Sequence, residues 1–569
     1  MSIHLKKSLF IIIPVIILVL AAGIAGYFMF VYNIDFKTLV FLIKEGSYKM
    51  TVPEGYIKPE QMKFDVLSYD INIELFPDEK KITGVTEIKL VPDENLDKIY
   101  LNFYDNMEIE SATINGENTA FKNDNFTLSL VPAKPLQDTF LIRIKYNGYP
   151  ERKGFSSFNF EEIDSLGNLS IYSLNEPVFA STWFPCSDRP DDKAVMSMEI
   201  TNDTGYVSVS NGLLQSVDTL KGKLKYNWKT NYPISTYLIA LYSAKYSYFR
   251  QQYISGSNDT MNIDHYYYPA DFESAKFDVE NHPKMLEIFS DMFGEYPFIK
   301  EKYGTAEFEW DFGAMEHQTI TGISSTLVSG RRLFEDYYVH ELAHQWWGNS
   351  VGLKSWKDIW LNEGFATYCE ALYFEKKGGP KALQSTMYAI LDEKNSGILY
   401  DPKDDLFSQT VYNKGAWVLH MLRHETGDSL FFTILREYYG KYKYSNASTG
   451  DFISVCEKVT GRDLNWFFRQ WLYEGSGLLK LEYDWKCKSE DNKFVTTIAL
   501  KQIQKKYRKY LFTLDISGET EDGTAFEKSF FIDKAEESIE IITDKKVKEL
   551  YADKNGWLFA RTEWKSELP

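Results

Sequence analysis

The chain has 569 residues, a net charge of −18, 44% hydrophobic residues and 16% aromatic residues. That length exceeds one hydrophobic core and predicts roughly three domains, while the composition excludes a disordered chain. The acidic balance excludes nucleic acid as a partner, because binding there needs clustered basic residues. Four cysteines, Cys186, Cys369, Cys456 and Cys487, fall in separate segments without zinc-ribbon spacing and imply no disulfide framework.

After a short tail (residues 1–9), residues 10–32 read FIIIPVIILVLAAGIAGYFMFVY, an uncharged run. As a helix it spans about 34 Å, enough for the hydrocarbon core of a membrane, and Pro14 near its end is tolerated there. A single transmembrane anchor is expected. The competing reading is a cleaved signal peptide with Gly23-Ile24-Ala25 as the small-residue site; the run is longer than a usual signal core and continues past that site. Lys6 and Lys7 precede the run and Lys37, Lys44 and Lys49 follow it, so the positive-inside count is nearly tied. Residues 33–60 are expected as a juxtamembrane tether. From 61 to 249 period-two alternation dominates, as in SYDINIEL, where Ile71, Ile73 and Leu75 share one face and Asn72 and Glu74 the other. This predicts an all-β N-terminal domain.

From 250 to 475 the pattern turns mostly helical, as in NHPKMLEIFSDMFGEY. Within it, TAEFEWDFGAMEHQTI reads as strand, an edge against which a peptide could align. Then comes VHELAHQWWG. On a helix, i and i+4 lie about 40° apart, so His340 and His344 can aim at one ion. Glu341 is turned by one residue step, placed to reach a metal-bound water and poorly placed to be a ligand. A catalytic zinc needs a third protein ligand and an open position for water. The pattern that continues HExxH with xxGxxH is excluded, because Ser350 stands where its third histidine falls. Glu363 lies nineteen residues after His344 in a helix-like stretch from Trp360 to Phe374. Two antiparallel helices joined by the intervening loop bring it to the ion. Taken singly, these residues read as satisfied core histidines and a surface glutamate; the combination points to one zinc per chain. After Gly475 alternation returns in KFVTTIALKQI and YLFTLDISGE, which predicts a small β-sandwich over 476–569. Ninety-four residues remain there, too few for a second large helical domain, so an open cleft is expected.

HELAH, an eighteen-residue gap and the glutamate of NEGFA resemble the zinc signature of the aminopeptidase N family of metallopeptidases. Three further segments extend the resemblance, which covers roughly Met62 to Trp557. GAMEH is similar to the family's GxMEN motif, with His317 where asparagine is usual. This implies substrate binding by Gly313, Ala314, Met315 and above all Glu316, which holds the free amino group. LNEPVFASTWFPCSDRPDDKA implies that Glu176 is a second anchor for that amine. TVYNKGAWVLHML implies that Tyr412 stabilises the transition state. His317 itself reads as a polar residue at a strand edge, and Phe312 either lines the pocket for the first side chain or is a core aromatic. The resemblance implies a thermolysin-like zinc catalytic domain, with His340, His344 and Glu363 on the metal and Glu341 as general base. It further implies peptide substrates with a free amino terminus and a single-pass membrane protein whose large domain lies outside the cytoplasm. The alternatives are a catalytically inactive surface binding protein on the same fold, or a zinc endopeptidase.

Overall fold

The computed structural model describes residues 50–565 except 312, 476, 506 and 508. The expected anchor at 10–32, the flanking residues 1–9 and 33–49, and Phe312 lie outside the described residues. Among the described residues no helix is long and apolar enough to cross a membrane.

Alternation builds the first domain. In strand Phe64–Phe76, Tyr69, Ile71, Ile73 and Leu75 are buried and Asn72 faces out. The strand pairs antiparallel with Lys81–Pro92 and parallel with Val195–Asp203, near the middle of an eight-stranded sheet. A separate four-stranded sheet contains Leu169–Leu174 and Leu241–Ala244, every residue of which is buried, as in strands covered on both faces. Leu169–Leu174 runs directly into Asn175 and Glu176, so a fully packed strand delivers an acidic side chain to the domain's inner edge.

Two expectations about this region differ from the structure. The stretch 50–60, expected as the end of a tether, belongs to the folded body. Tyr56 is fully buried, its hydroxyl 2.7 Å from Asp188 Oδ2 and 2.8 Å from Val178 O. Met50 N donates to Asp405 Oδ1 at 3.1 Å, and Leu406 N donates to Met50 O at 2.9 Å. Proline, glycine and polar residues mark a loop, and a loop is buried where such partners satisfy its polar groups. The boundary expected at 249/250 falls inside strand Ser247–Ile254, which pairs with Thr260–Tyr267. Both belong to a five-stranded sheet in the order Ser247–Ile254, Thr260–Tyr267, Lys302–Phe308, Thr321–Ser324, Ala314–Met315. Alternation reads the same in either sheet, so it could not assign the strand.

Helices pack on that sheet. Glu335–Ala343 carries the first histidine and touches the edge strand Ala314–Met315. Trp360–Gly378 is the central helix: from Trp360 to Tyr373 every residue is buried except the half-buried Glu370. It contacts Glu335–Ala343 on one side and Gly415–Thr426 on another. The last domain is a sandwich of a four-stranded sheet (Leu479–Glu490, Lys493–Gln502, Glu536–Thr543, Ala560–Trp564) and a three-stranded one (Phe512–Thr520, Ala525–Ile532, Val547–Ala552).

Candidate active site

The structure brings His340, His344 and Glu363 together. His340 Nε2 and His344 Nε2 lie 3.0 Å apart, and each is 3.4 Å from Glu363 Oε2. Zinc bonds of about 2.0–2.2 Å set the corners of a tetrahedron about 3.3–3.6 Å apart; both distances to Glu363 match, and the two nitrogens lie slightly closer than that, so the three atoms can surround one ion with a small opening between the imidazoles. The protonation pattern agrees. His340 Nδ1 is 2.7 Å from Glu370 Oε1, and His344 Nδ1 is 3.0 Å from Trp347 O. A carboxylate and a carbonyl only accept, so both Nδ1 atoms carry a proton and both Nε2 atoms are turned to the ion position, where a metal would take their lone pairs. Two facing nitrogens and a carboxylate need positive charge among them, either a proton on an imidazole or a metal ion. Burial works against a charged imidazole, yet Glu316 and Glu363 outweigh it and hold His344 up at about 8. Burial likewise opposes ionisation of Glu363, and His344 and His340 bring it down to about 2.

Glu341 sits beside this triangle. Burial pushes it up to about 8, against the pull of His340 and His344. Its Oε2 is buried without a hydrogen-bond partner, and its carboxylate lies within 4.8 Å of donor atoms of His344 and Glu316. A carboxylate poised near neutral pH next to a cation site suits proton transfer.

Glu316 and Glu176 come from different domains and meet here, each with a carboxylate oxygen within 4.8 Å of the other and of Glu363. Both side chains are buried, and Oε1 of each has no hydrogen-bond partner. Burial raises both above the ordinary carboxylate range. Glu176 is set by Asn175, whose Nδ2 donates to Ile239 O at 2.7 Å and whose Oδ1 accepts from Trp183 Nε1 at 2.9 Å. Glu316 is set by the residues that follow the zinc helix: its carbonyl accepts from Asn349 Nδ2 at 2.6 Å and Gln345 Nε2 at 3.2 Å. Ala314 and Met315 form the outermost strand, pairing with Ile323 and Gly322. Gly313 precedes them at a φ of 128°, where a Cβ would meet the Trp310 ring at 2.6 Å; a side chain there is barred twice over. His317 is not a strand-edge residue. It lies beyond the strand, fully buried, with Nδ1 2.6 Å from the Tyr242 hydroxyl, and burial lowers it to about 3, so it is neutral.

Tyr412 sits in a π-helical turn, Thr410–Lys414, a distortion common at functional sites. Its ring stacks on His340, centroids 5.9 Å apart and planes 21° apart. Burial, then the surrounding glutamates with Glu363 foremost, raises the phenol far above its ordinary value, so it stays a donor. The turn is brought to Glu363 by two glycines. A Cβ on Gly364 would lie 2.8 Å from Gly415 Cα, and the reverse holds too, so the two helix backbones touch. Lys414, in the same turn, is buried and donates to Gly397 O at 2.6 Å and Gly475 O at 2.8 Å. Sequence reasoning missed Glu370, Asn175, Gln345 and this glycine contact. For Glu370 a signal was present: it lies seven residues after Glu363, two turns along the same helix face.

The peptidase family M1 domain matches residues 277–471, and the peptidase M1 N-terminal domain matches residues 66–238. The chain is similar to probable aminopeptidase 1 of Sulfurisphaera tokodaii, 27% identical over 426 residues, 70% of this chain and 52% of that protein. It spans about half the length of the curated relatives it matches. Among solved structures it is similar to an M1 zinc metallopeptidase mutant from Deinococcus radiodurans bound to a Tyr-Ser-Ala substrate. That match has 25% identity and a TM-score of 0.64, covering 74% of this chain and 96% of the other. Aminopeptidase A of Legionella pneumophila shares the fold with a TM-score of 0.76 at 18% identity, over 92% of this chain and 61% of that one.

Proposed function

The chain belongs to peptidase family M1, and from that premise we propose that it is a zinc-dependent aminopeptidase removing the first residue from peptides with a free amino terminus. One observation carries the reading: Glu176 and Glu316 present buried, unpartnered oxygens beside the three-donor zinc triangle. An unpaired buried carboxylate costs several kcal/mol, and a peptide's terminal ammonium is the partner that relieves it. An endopeptidase has no use for these two groups, and an inactive binding protein has no use for Glu341 beside a complete ligand set.

Glu176 and Glu316 hold the ammonium, and the edge strand Ala314–Met315 offers backbone groups to the substrate's main chain. The distance from the amine pocket to the triangle is thereby fixed, so one residue is measured off. His340, His344 and Glu363 would hold the zinc, which would supply the Lewis acidity that brings a water's pKa from 15.7 to about 7. Glu341 takes that water's proton at its carboxylate and passes one to the leaving nitrogen. The Tyr412 hydroxyl donates to the developing oxyanion, a contribution typically worth about 2.7–4 kcal/mol. Glu370 and the Trp347 carbonyl keep both imidazoles in the tautomer that faces the ion.

The uncharged run at residues 10–32 supports anchoring in a membrane as part of this reading, with the large domain outside the cytoplasm as in the family's anchored members. The chain then stays in the membrane after an alkaline wash, and protease added outside intact cells reaches it. Recovery of the chain in the wash removes the anchor from the proposal. For the activity, the test is a panel of aminoacyl fluorogenic substrates with and without chelator, beside their N-acetylated versions. Chelator-sensitive cleavage of the free-amine set alone is expected. Equal rates on both sets would falsify the assignment of the amine pocket.

A further inference from the structure

The amine pocket is also a cluster of oxygen donors. Glu176, Glu316 and Glu363 each offer one carboxylate oxygen, all within 4.8 Å of one another and all on buried side chains. Two of the three side chains, Glu176 and Glu316, carry an oxygen with no hydrogen-bond partner at all. We propose that this cluster is a second divalent-cation site, which takes a hard, oxygen-preferring ion in competition with the peptide's ammonium and so inhibits the enzyme. The competition rests on the aminopeptidase reading above; the ion site does not.

The donor chemistry selects the class of ion. The zinc triangle has two nitrogens and one oxygen, whereas this cluster has oxygens only, the set preferred by calcium, magnesium and manganese. Oxygens bound to calcium at about 2.3–2.6 Å lie about 3.3–5.2 Å apart, adjacent or opposite, and a spread of up to 4.8 Å falls within that. Glu363 belongs to both groups: Oε2 faces the two histidines, and a glutamate carboxylate can bridge two ions. Bridged ions lie about 3.5–4 Å apart in two-metal centres.

Charge decides why such an ion competes with the natural occupant. Glu176, Glu316, Glu341 and Glu363 line one buried space. Burial resists their ionisation, and cations among them favour it; fully ionised they carry four negative charges, of which a zinc ion would offset two. A peptide ammonium offsets one of the remaining two; a second divalent ion offsets both. Where water is excluded this difference weighs more than it does at a surface.

The test uses the full zinc-loaded chain titrated with manganese, with bound manganese read by electron paramagnetic resonance and zinc by elemental analysis. Expected is one manganese per chain while zinc stays at one. In the rate assay manganese raises the KM for a free-amine peptide and leaves kcat unchanged. Glu176→Gln and Glu316→Gln, each retaining its zinc, weaken manganese binding by about 10–100-fold, the range for loss of a group that supports a metal. The proposal is overturned by no bound manganese up to about 1 mM, the weak end of calcium-type affinities. It is equally overturned by unchanged binding in both variants, or by manganese that enters only as zinc leaves. Acetylated peptides read the amine assignment separately. Manganese bound as expected in an enzyme indifferent to acetylation would leave the ion site standing and remove the competition.

Discussion

Glu341 and Glu370 both stand beside the paired histidines, and their surroundings give them opposite work. Glu370 spends a carboxylate oxygen on His340 Nδ1 at 2.7 Å, so it orients a ligand. Glu341 has a buried oxygen with no partner, so it is free to take a proton. Glu341→Gln is therefore expected to keep one zinc per chain and to lose about 10²–10⁴ in kcat, the span of general-base catalysis. Near-unchanged turnover at full zinc content would reassign the base. Glu370→Ala is expected to weaken zinc by about 10–100-fold in competition with a chelator, with much smaller loss of kcat once zinc is saturating. A variant with unchanged zinc affinity would make Glu370 a packing residue. Glu341 was legible because HExxH fixes its angle from two histidines on one helix. Glu370 was harder to read: its spacing puts it on the face of Glu363, but a glutamate late in an amphipathic pattern reads as solvent-facing. Its helix is buried nearly all round, and in that setting a glutamate has to be paired.

At the scale of elements, two glycines explain why NEG and YNKG belong together. Gly364 follows the ligand Glu363, and Gly415 closes the turn that carries Tyr412; their backbones approach so closely that either Cβ would sit 2.8 Å from the other Cα. Gly364→Ala or Gly415→Ala must push the helices apart, since backbone cannot yield as a flexible side chain does. The expected cost is about 1–3 kcal/mol of stability, as for overpacking. It comes with a fall in kcat at retained zinc, because Tyr412 moves off the site while His340, His344 and Glu363 stay on theirs. Gly440→Ala is the control: it lies exposed in helix Asp428–Tyr442 with nothing within 4 Å of a Cβ. That change is expected to stabilise by about 0.5–1 kcal/mol and to leave kcat alone. Equal kcat in all three variants would separate the glycine contact from catalysis. The sequence marked these helices by their period, yet a glycine inside a helix signals only a tolerated weakness until its partner backbone is seen. The strand assignments show a similar limit: SYFRQQYI alternates plainly, and nothing in it says which sheet it joins.

Across the whole molecule, the helix that begins at the Tyr412 turn ends against the C-terminal sandwich. His420 and His424 lie four residues apart on it, the same spacing as the zinc pair, and here the spacing serves packing. Both rings stack on Trp557, at 4.6 Å and 5.4 Å, and His420 Nε2 lies 3.2 Å from Gly556 O. A histidine pair alone therefore did not mark the metal; Glu341 and Glu363 did. His424 Nε2 is 2.8 Å from Asp515 Oδ2 in the sandwich, with Glu425 and Asp553 also facing it. Burial opposes its charge, and Asp515 with these neighbours raises it above the ordinary 6.5. That contribution is complete below about 6.5 and is lost as pH rises through the raised value. Burial also lifts Asp553 from 3.8 to about 7, which removes stability as pH rises across that interval. Burial disfavours charge on Asp515 as well, but His424 and Ser529 hold it low, so its contribution is present throughout and is lost only on acidification. His424 and Asp553 act in one direction: docking of the sandwich weakens as pH rises, up to about 7 for Asp553 and through the raised value for His424. His424→Gln, compared with the unmodified chain at saturating zinc, is expected to unfold about 2–4 °C lower near pH 6, as for loss of an ion pair worth on the order of 1 kcal/mol. The gap should narrow as pH rises through the raised His424 value, above which both chains carry a neutral group there. The zinc site is common to the two proteins and cancels in the difference, whereas Asp553 and Asp515 both lose the nearby His424 charge and rise in the variant, which is part of the gap. A gap that stays constant across the range would mean that His424 serves the interface by its stacking on Trp557 and not by its charge.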